Sequence, residues 1–347
     1  MIILKGKIYF YAIFVLYSLS GKVFFTLVQR LQYAFEVDKM KKPEILVTPE
    51  KVDDIIPLSE VGADAFVVGE TRYGLRLNGE FKREDVKKAI EVAHARNKKV
   101  YVAVNAIFHN EKVDELDDYL RFVRDAGADA VIFGDPAVLM AQKRVAPELP
   151  LHWSTETTAT NWYTCNYWGR KGAKRAVLAR ELSMDEIIEI KEHAEVEIEI
   201  LVHGMSCMFQ SKRKLLGNYF EYRGKRMEIQ HSDDDYMFLY DSERDNKYPI
   251  FEDENGTHIM SANDVCIIDE LEELIEAGID SFKIDGIFKS PEYLIEVTKM
   301  YREAVDLCVS NPVQYEEKKD YWLEKIEAIQ PKNRDIDTGF FFKETVY

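Results

Sequence analysis

One phrase recurs four times along this chain, and it limits the available folds more than any other feature. GADAFVVGE (Gly62–Glu70) returns as GADAVIFGD (Gly127–Asp135), more loosely as GAKRAVLARE (Gly172–Glu181), and again as GIDSFKIDG (Gly278–Gly286). In each copy a glycine closes a helical stretch, a short apolar run follows, and an acid stands at the end of that run. Glycine just past a helix supplies the left-handed residue that stops it. Short apolar runs suit strands covered on both faces. Further strands read at Glu44–Thr48, Val100–Val104, Leu151–Ser154 and Ile198–Val202, separated by helical patterns such as Arg83–Ala95, Val113–Ala126 and Met184–His193. The strands number eight, centred near residues 45, 66, 101, 131, 152, 176, 199 and 282. Strands alternating with helices make parallel βα units. Eight of them predict a closed (β/α)8 TIM-like barrel. A doubly wound open sheet is the alternative, but no GxGxxG or GxxxxGK[ST] phosphate loop accompanies it.

A barrel places its active site at the C-terminal ends of its strands. The residues at those exits are Glu70, Asn105, Asp135, Glu156, Glu181, His203 and Asp285. Asp135 precedes Pro136 and reads as a helix cap, and Ser183 reads as another helix start. The stretch EIEILVHGMSCM (Glu197–Met208) draws most interest. Alternating acids and aliphatics suit a strand with one face buried, and it ends in His203, Gly204 and, three residues on, Cys207. The plain alternative is a core strand followed by an ordinary loop.

Between the seventh and eighth strands lies a long β-rich insertion, residues 205–264, with hairpin-like segments EYRGKRMEI (Glu221–Ile229) and PIFEDENGTHIM (Pro249–Met260). The second turns at Asn255-Gly256, a strong hairpin signal. The acid run Ser232–Asp235 lacks a metal-ligand spacing and reads as solvated loop. A structured insertion on this face of a barrel serves as a lid or binding module. A helix is expected over Val265–Ala277 and another over Pro291–Cys308. The barrel domain therefore spans 40–310, and the charged tail 311–347, ending in GFFFKETVY, is expected to pack on the barrel or on a partner.

The formal charge of −16 over 347 residues argues against a chain that grips nucleic acid over its whole surface. It leaves room for a local basic patch. The four cysteines, Cys165, Cys207, Cys266 and Cys308, form no CxxC pair, so neither a zinc finger nor a disulfide scaffold is expected, and a reducing cytoplasm is. Residues 1–39 are apolar and aromatic, interrupted by Lys22. They read as an over-long start ahead of Met40; a signal peptide or a membrane anchor are the alternatives.

Several ordered motifs resemble peptidase family U32. They are AFVVGETRYGLR (Ala65–Arg76), VYVAVNAIFHNEKVDEL (Val100–Leu116), GAKRAVLARELSMDEI (Gly172–Ile187), the Glu197–Met208 stretch and MSANDVCIIDEL (Met260–Leu271), with TGFFF near the end. The resemblance covers essentially Pro43 to Asp306, and it too implies a barrel. The family label implies a collagenase-like protease, a hydrolase, yet no HExxH or GxSxG is present. Other branches of the family imply oxygen-independent hydroxylation: of a wobble uridine in tRNA to 5-hydroxyuridine with prephenate as oxygen source, of ribosomal RNA, or of quinone precursors. Those branches imply an iron–sulfur cluster on four cysteines. Here the first matches Cys207 and the fourth Cys266. The second falls on Lys214, and the third lies in a segment missing around Tyr219–Gly224. Cys207 and Cys266 are thus relict positions, and a cluster is expected only through a partner. HWSTETTATNWYTCNYWGRKGA (His152–Ala173) and the reduced insertion resemble the shorter member of a bacterial pair, which implies a longer, cluster-bearing paralogue as partner and tRNA bound through the complex.

The resulting expectation is a component of prephenate-dependent tRNA uridine hydroxylation, with no strong membrane partner. His203, Glu181 and Glu70 are expected to move protons. Arg76, Asn105, Arg180 and Glu156 are expected to hold substrate, the two arginines clamping a dicarboxylate. A peptidase and a non-catalytic partner subunit remain the alternatives.

Overall fold

The computed structural model describes residues 41–155, 158–224 and 237–343. The extension 1–39, Glu156 and the acid run Ser232–Asp235 lie outside the described residues.

Seven parallel strands come first: β1 (Glu44–Val47), β2 (Ala65–Val68), β3 (Lys99–Val104), β4 (Ala130–Phe133), β5 (Leu151–Trp153), β6 (Ala173–Val177) and β7 (Glu197–Gly204). The chain then makes β8 (Cys207–Ser211), β9 (Met237–Asp241), β10 (Asn246–Asp253), β11 (Gly256–Met260) and β12 (Asp264–Cys266) before β13 (Ser281–Ile284) resumes the barrel, with β14 (Ile336–Asp337) near the end. Each of β1–β7 pairs with the next, and β13 pairs in parallel with both β1 and β7. The sheet therefore closes, and the eight barrel strands are the eight that the sequence pattern marks.

The repeat has the local cause expected of it. Gly62, Gly127, Gly172 and Gly278 carry φ of +109°, +86°, +121° and +77°, each ending a helix or turn just before a strand. Behind two of these glycines the strand is buried throughout, in β2 and β4; β6 exposes Lys174 and β13 leaves Lys283 half-buried. Asp135 caps the helix Pro136–Val145 by accepting from the Ala137 amide at 2.8 Å. Ser183 and Glu186 form a capping box on the helix Met184–His193.

Of the two acids of β7, Glu197 is exposed at the strand's start and Glu199 is not. Glu199 is 2% exposed and points into the barrel, where Arg175, 3% exposed, holds it at 3.2 Å. Arg175 also meets Glu44 at 2.7 Å and Glu197 at 2.9 Å, and lies over the Tyr101 ring. Tyr101 donates to Glu44 at 2.7 Å. This buried ionic layer closes the barrel on the side away from its mouth. The alternation in the sequence thus separates a polar lumen from an apolar outer face packed by helices, rather than core from solvent.

The insertion is a four-stranded antiparallel sheet in the order β8-β11-β10-β9. The β10–β11 hairpin forms where Asn255-Gly256 marks it, but one residue early: Glu254-Asn255 make the turn and Gly256 opens β11 opposite Asp253. Glu221–Tyr222 are not a hairpin arm; they end the helix Leu215–Tyr222. Nor does a helix begin at Val265. Val265 and Cys266 form β12, antiparallel to Gly204 and His203 of β7, and the helix covers only Leu271–Glu276. Four consecutive apolar residues fit either element by pattern, and the free edge at the top of β7 decides for strand. In the tail, the helix Pro312–Ile329 packs on Pro291–Ser310, and Phe341 is buried, its carbonyl accepting from the Met184 amide at 2.9 Å. Among the described residues no helix is long and apolar enough to cross a membrane.

Candidate functional site

The barrel mouth holds a narrow pocket with about 30 Å³ of enclosed space, room for a water or two as the side chains stand. Its walls are Val67, Ala103, Ile132 and Val177, one from each of four strands, and Glu199 lies at the floor. The polar lining is rich in cations: Arg76, Arg180 and Lys283 converge with Asn78, Asn105, Ser154 and Asp285. A second, wider pocket, about 470 Å³ and within the range usual for small-molecule sites, adjoins it through Arg76, Leu77, Asn78 and Ile287, and is bounded by Phe251 and Asp253 of the insertion and by Phe288.

Local structure explains how these side chains are held. The loop after β2 carries Arg76 with φ +51°, a left-handed conformation costly for a residue with a Cβ and most often kept where function needs it. Asn105 fixes that loop by accepting from the Leu75 amide at 2.9 Å. Asn78 donates to the Thr48 carbonyl at 2.9 Å, tying the same loop to the end of β1. Arg76 reaches Gln210 of β8 at 3.2 Å, and Arg180 donates to the Met205 carbonyl at 3.0 Å. Both arginines therefore link the mouth to the root of the insertion. The hairpin tip completes the link, because Asn255 donates to the carbonyls of Thr71 at 2.6 Å and Gly74 at 3.2 Å.

Lys283 stands between two carboxylates, ion-paired to Asp285 at 3.0 Å and near Glu199. Burial pushes the Glu199 carboxyl up, against the pull of Arg175 and Lys283. The arrangement offers fixed cations for a carboxylated ligand, and beside them a carboxyl group disposed to hold a proton.

Three of the residues expected from the sequence meet here: Arg76, Asn105 and Arg180, together with the strand exit Asp285. Three others do not. Glu70 pairs with Arg83 at 3.3 Å, beside the mouth loop rather than inside it. Glu181 is exposed in the turn after β6. His203 is fully buried and turned toward the helix Pro291–Ser310, with its ring against Tyr293 and Tyr301. The reason is a bulge: Lys283 and Ile284 of β13 face Leu201 and His203, so Val202 is an extra residue on β7. With a side-chain period of two, one extra residue sends the next side chain to the other face. Burial holds the His203 imidazole at about 4, well below its ordinary value.

Lys283, Asn78, Thr48 and Ser154 did not figure among the expected site residues. Lys283 left a signal, a cation between Phe282 and Ile284 in a strand otherwise apolar. Asn78 left none, since only the loop's path brings it to the mouth.

The relict cysteine positions do not suit an iron–sulfur cluster, which needs several thiolates facing one point. Cys266 is buried, and that burial pushes its thiol up to about 12. Cys207 packs beside Met205, Phe251 and Met260. Lys214, at the second position, is exposed at the start of the helix Leu215–Tyr222.

Comparison with known proteins agrees with this picture at the family level. The model for peptidase family U32 matches residues 50–346. Over 309 residues the chain is 74% identical to a protein of Bacillus subtilis named tRNA hydroxylation protein P2, covering 89% of this chain and 100% of that one. It is 36% identical to tRNA hydroxylation protein P1 of the same organism, covering 87% of this chain and 71% of that one. It is 34% identical to tRNA hydroxylation protein P of Escherichia coli, covering 77% of this chain and 68% of that one.

Proposed function

The chain belongs to peptidase family U32, and from that premise we propose that it acts in tRNA hydroxylation, as a component of the prephenate-dependent, oxygen-independent 5-hydroxylation of a wobble uridine. The observation that carries this reading is the 74% identity across the full length of a tRNA hydroxylation protein. The pocket supports it in kind. Prephenate bears two carboxylates, and Arg76, Arg180 and Lys283 are cations at one mouth. Arginine forks suit carboxylates through paired hydrogen bonds. In this reading the wider space beneath Phe251 and Phe288 takes the substrates, with the donor's carboxylates turned toward the cations of the inner pocket. A longer, cluster-bearing family member is the proposed partner, since the cysteine positions of this chain do not suit a cluster.

Peptide hydrolysis draws no support from the site. His203, the base that a cysteine nucleophile would need, is sealed from the mouth and bonded to Tyr293 at 2.8 Å.

The test is mass spectrometry of tRNA nucleosides from a strain lacking this gene and retaining the longer family member proposed as its partner. Loss of 5-hydroxyuridine derivatives, restored by the wild-type gene but not by Arg76→Ala, is expected. Unchanged nucleosides would sink the role.

A further inference from the structure

The insertion carries a surface that the mouth pocket does not use. Nearly half of the large apolar side chains exposed among the described residues lie on β8, on β9 and on the helix Leu215–Tyr222; Tyr219 is 55% and Tyr222 88% exposed. Cations are interleaved with them. From Ser211 to Gly224 the chain has Lys212, Arg213, Lys214 and Arg223 against one acid, Glu221, in a protein of formal charge −16. All four cations are exposed.

The segment is built into the module. Thr257 of β11 accepts from the Leu215 amide at 2.9 Å and donates to the Arg213 carbonyl at 2.8 Å. Glu252 of β10 accepts from the amides of Leu216 at 2.6 Å and Gly217 at 3.1 Å. The basic turn is therefore rigidly presented, and the Asn255 clamp sets its module against the mouth loop. Lys112 on the barrel rim lies within electrostatic reach of this turn: burial pulls its ammonium below the ordinary value, Glu254 opposes that, and Lys212 and Arg72 add to it.

We propose that this face of the insertion is a binding surface for single-stranded RNA, with Lys212, Arg213, Lys214 and Arg223 meeting phosphates and Tyr219 and Tyr222 stacking on bases. Exposed tyrosines among exposed cations are the chemistry that single strands need, because every base has a stacking face and every linkage a charge. A protein partner would satisfy the aromatic rings but leaves the excess of cations without a role. The inference rests on the tRNA reading above for the RNA's identity, and it gives this acidic chain its own hold on the substrate instead of leaving RNA contact to a partner.

The test uses the full chain and fluorescence anisotropy with two labelled probes, unmodified tRNA and oligouridine, across a salt series. Lys212→Ala/Arg213→Ala/Lys214→Ala is expected to weaken binding at least tenfold and to lower the salt slope by about 2, at roughly 0.7 per single-strand phosphate. Tyr219→Ala/Tyr222→Ala is expected to weaken oligouridine about tenfold with its salt slope unchanged. Thermal melting confirms that both variants fold. Wild-type affinity and slope in both variants would overturn the surface, as would a wild-type chain that binds neither probe. So would tyrosine variants that keep RNA but lose a co-purified protein subunit, which would assign the face to a protein. If nucleosides are lost from the deletion strain while both variants bind like wild type, the surface fails and the hydroxylation role stands. The converse pair of results removes the role and keeps the surface.

Discussion

His203 gives the most exacting test of how this molecule is built. Its imidazole is fully buried and bonded to the Tyr293 hydroxyl at 2.8 Å. Tyr293 donates to the Gln330 carbonyl oxygen at 2.6 Å, and Gln330 donates to Asp264 at 2.6 Å. The direction of this chain makes His203 a neutral donor at Nε2, since the tyrosine proton is already committed to Gln330. Burial, the largest cause, pulls the imidazole from 6.5 to about 4, and nearby Lys289 adds to it. The unfolded chain takes up a proton here as pH falls through 6.5, and the folded chain does not until pH nears 4. Folding stability is therefore intact above pH 7 and is lost progressively through that window. At about 1.4 kcal/mol for each tenfold change in proton affinity, the full loss is about 3 kcal/mol. Roughly 1 kcal/mol of it is gone by pH 5.5 and roughly 2–3 kcal/mol by pH 4.5. His203→Gln keeps a donor toward Tyr293 and removes the titration. Urea unfolding followed by tryptophan fluorescence at pH 7, 5.5 and 4.5 should show wild type losing stability faster than the variant by those amounts. Equal pH dependence in the two proteins would refute the reasoning, because it would mean that the imidazole titrates in contact with water.

Three further outcomes are expected. Arg175→Met strands Glu44 and Glu199 in the barrel and should cost about 3–5 kcal/mol in chemical denaturation, with part recovered by Arg175→Met/Glu199→Leu. Gly256→Ala puts a Cβ 1.9 Å from the Ser211 carbonyl oxygen at a φ of +118°; limited proteolysis should cut the insertion faster while the barrel resists as before. Arg180→Ala should abolish complementation of the deletion strain, read as nucleosides, with a thermal midpoint within a few degrees of wild type.

The barrel was legible in the sequence because its determinants are local. A glycine that stops a helix, a strand too short and too apolar for solvent, and a polar exit each act within about ten residues, and four copies of that logic among eight strands leave closure as the natural end. Asn255-Gly256 located its hairpin in the same way, although the turn itself falls one residue earlier. Strand exits led to Asn105 and Asp285, and the family motifs beside them to Arg76 and Arg180. What the sequence could not carry was decided by contacts across the fold. One extra residue in β7 turned His203 from the mouth to a helix. The free edge above it drew Val265 and Cys266 out of a helical pattern into a strand. Glu199 went into the lumen because Arg175 and Lys283, distant in the chain, were there to offset part of the cost of burying its carboxyl group. Periodicity records which side of an element is apolar. Which neighbour occupies the other side, and with what charge, is settled only when the chain has closed around it.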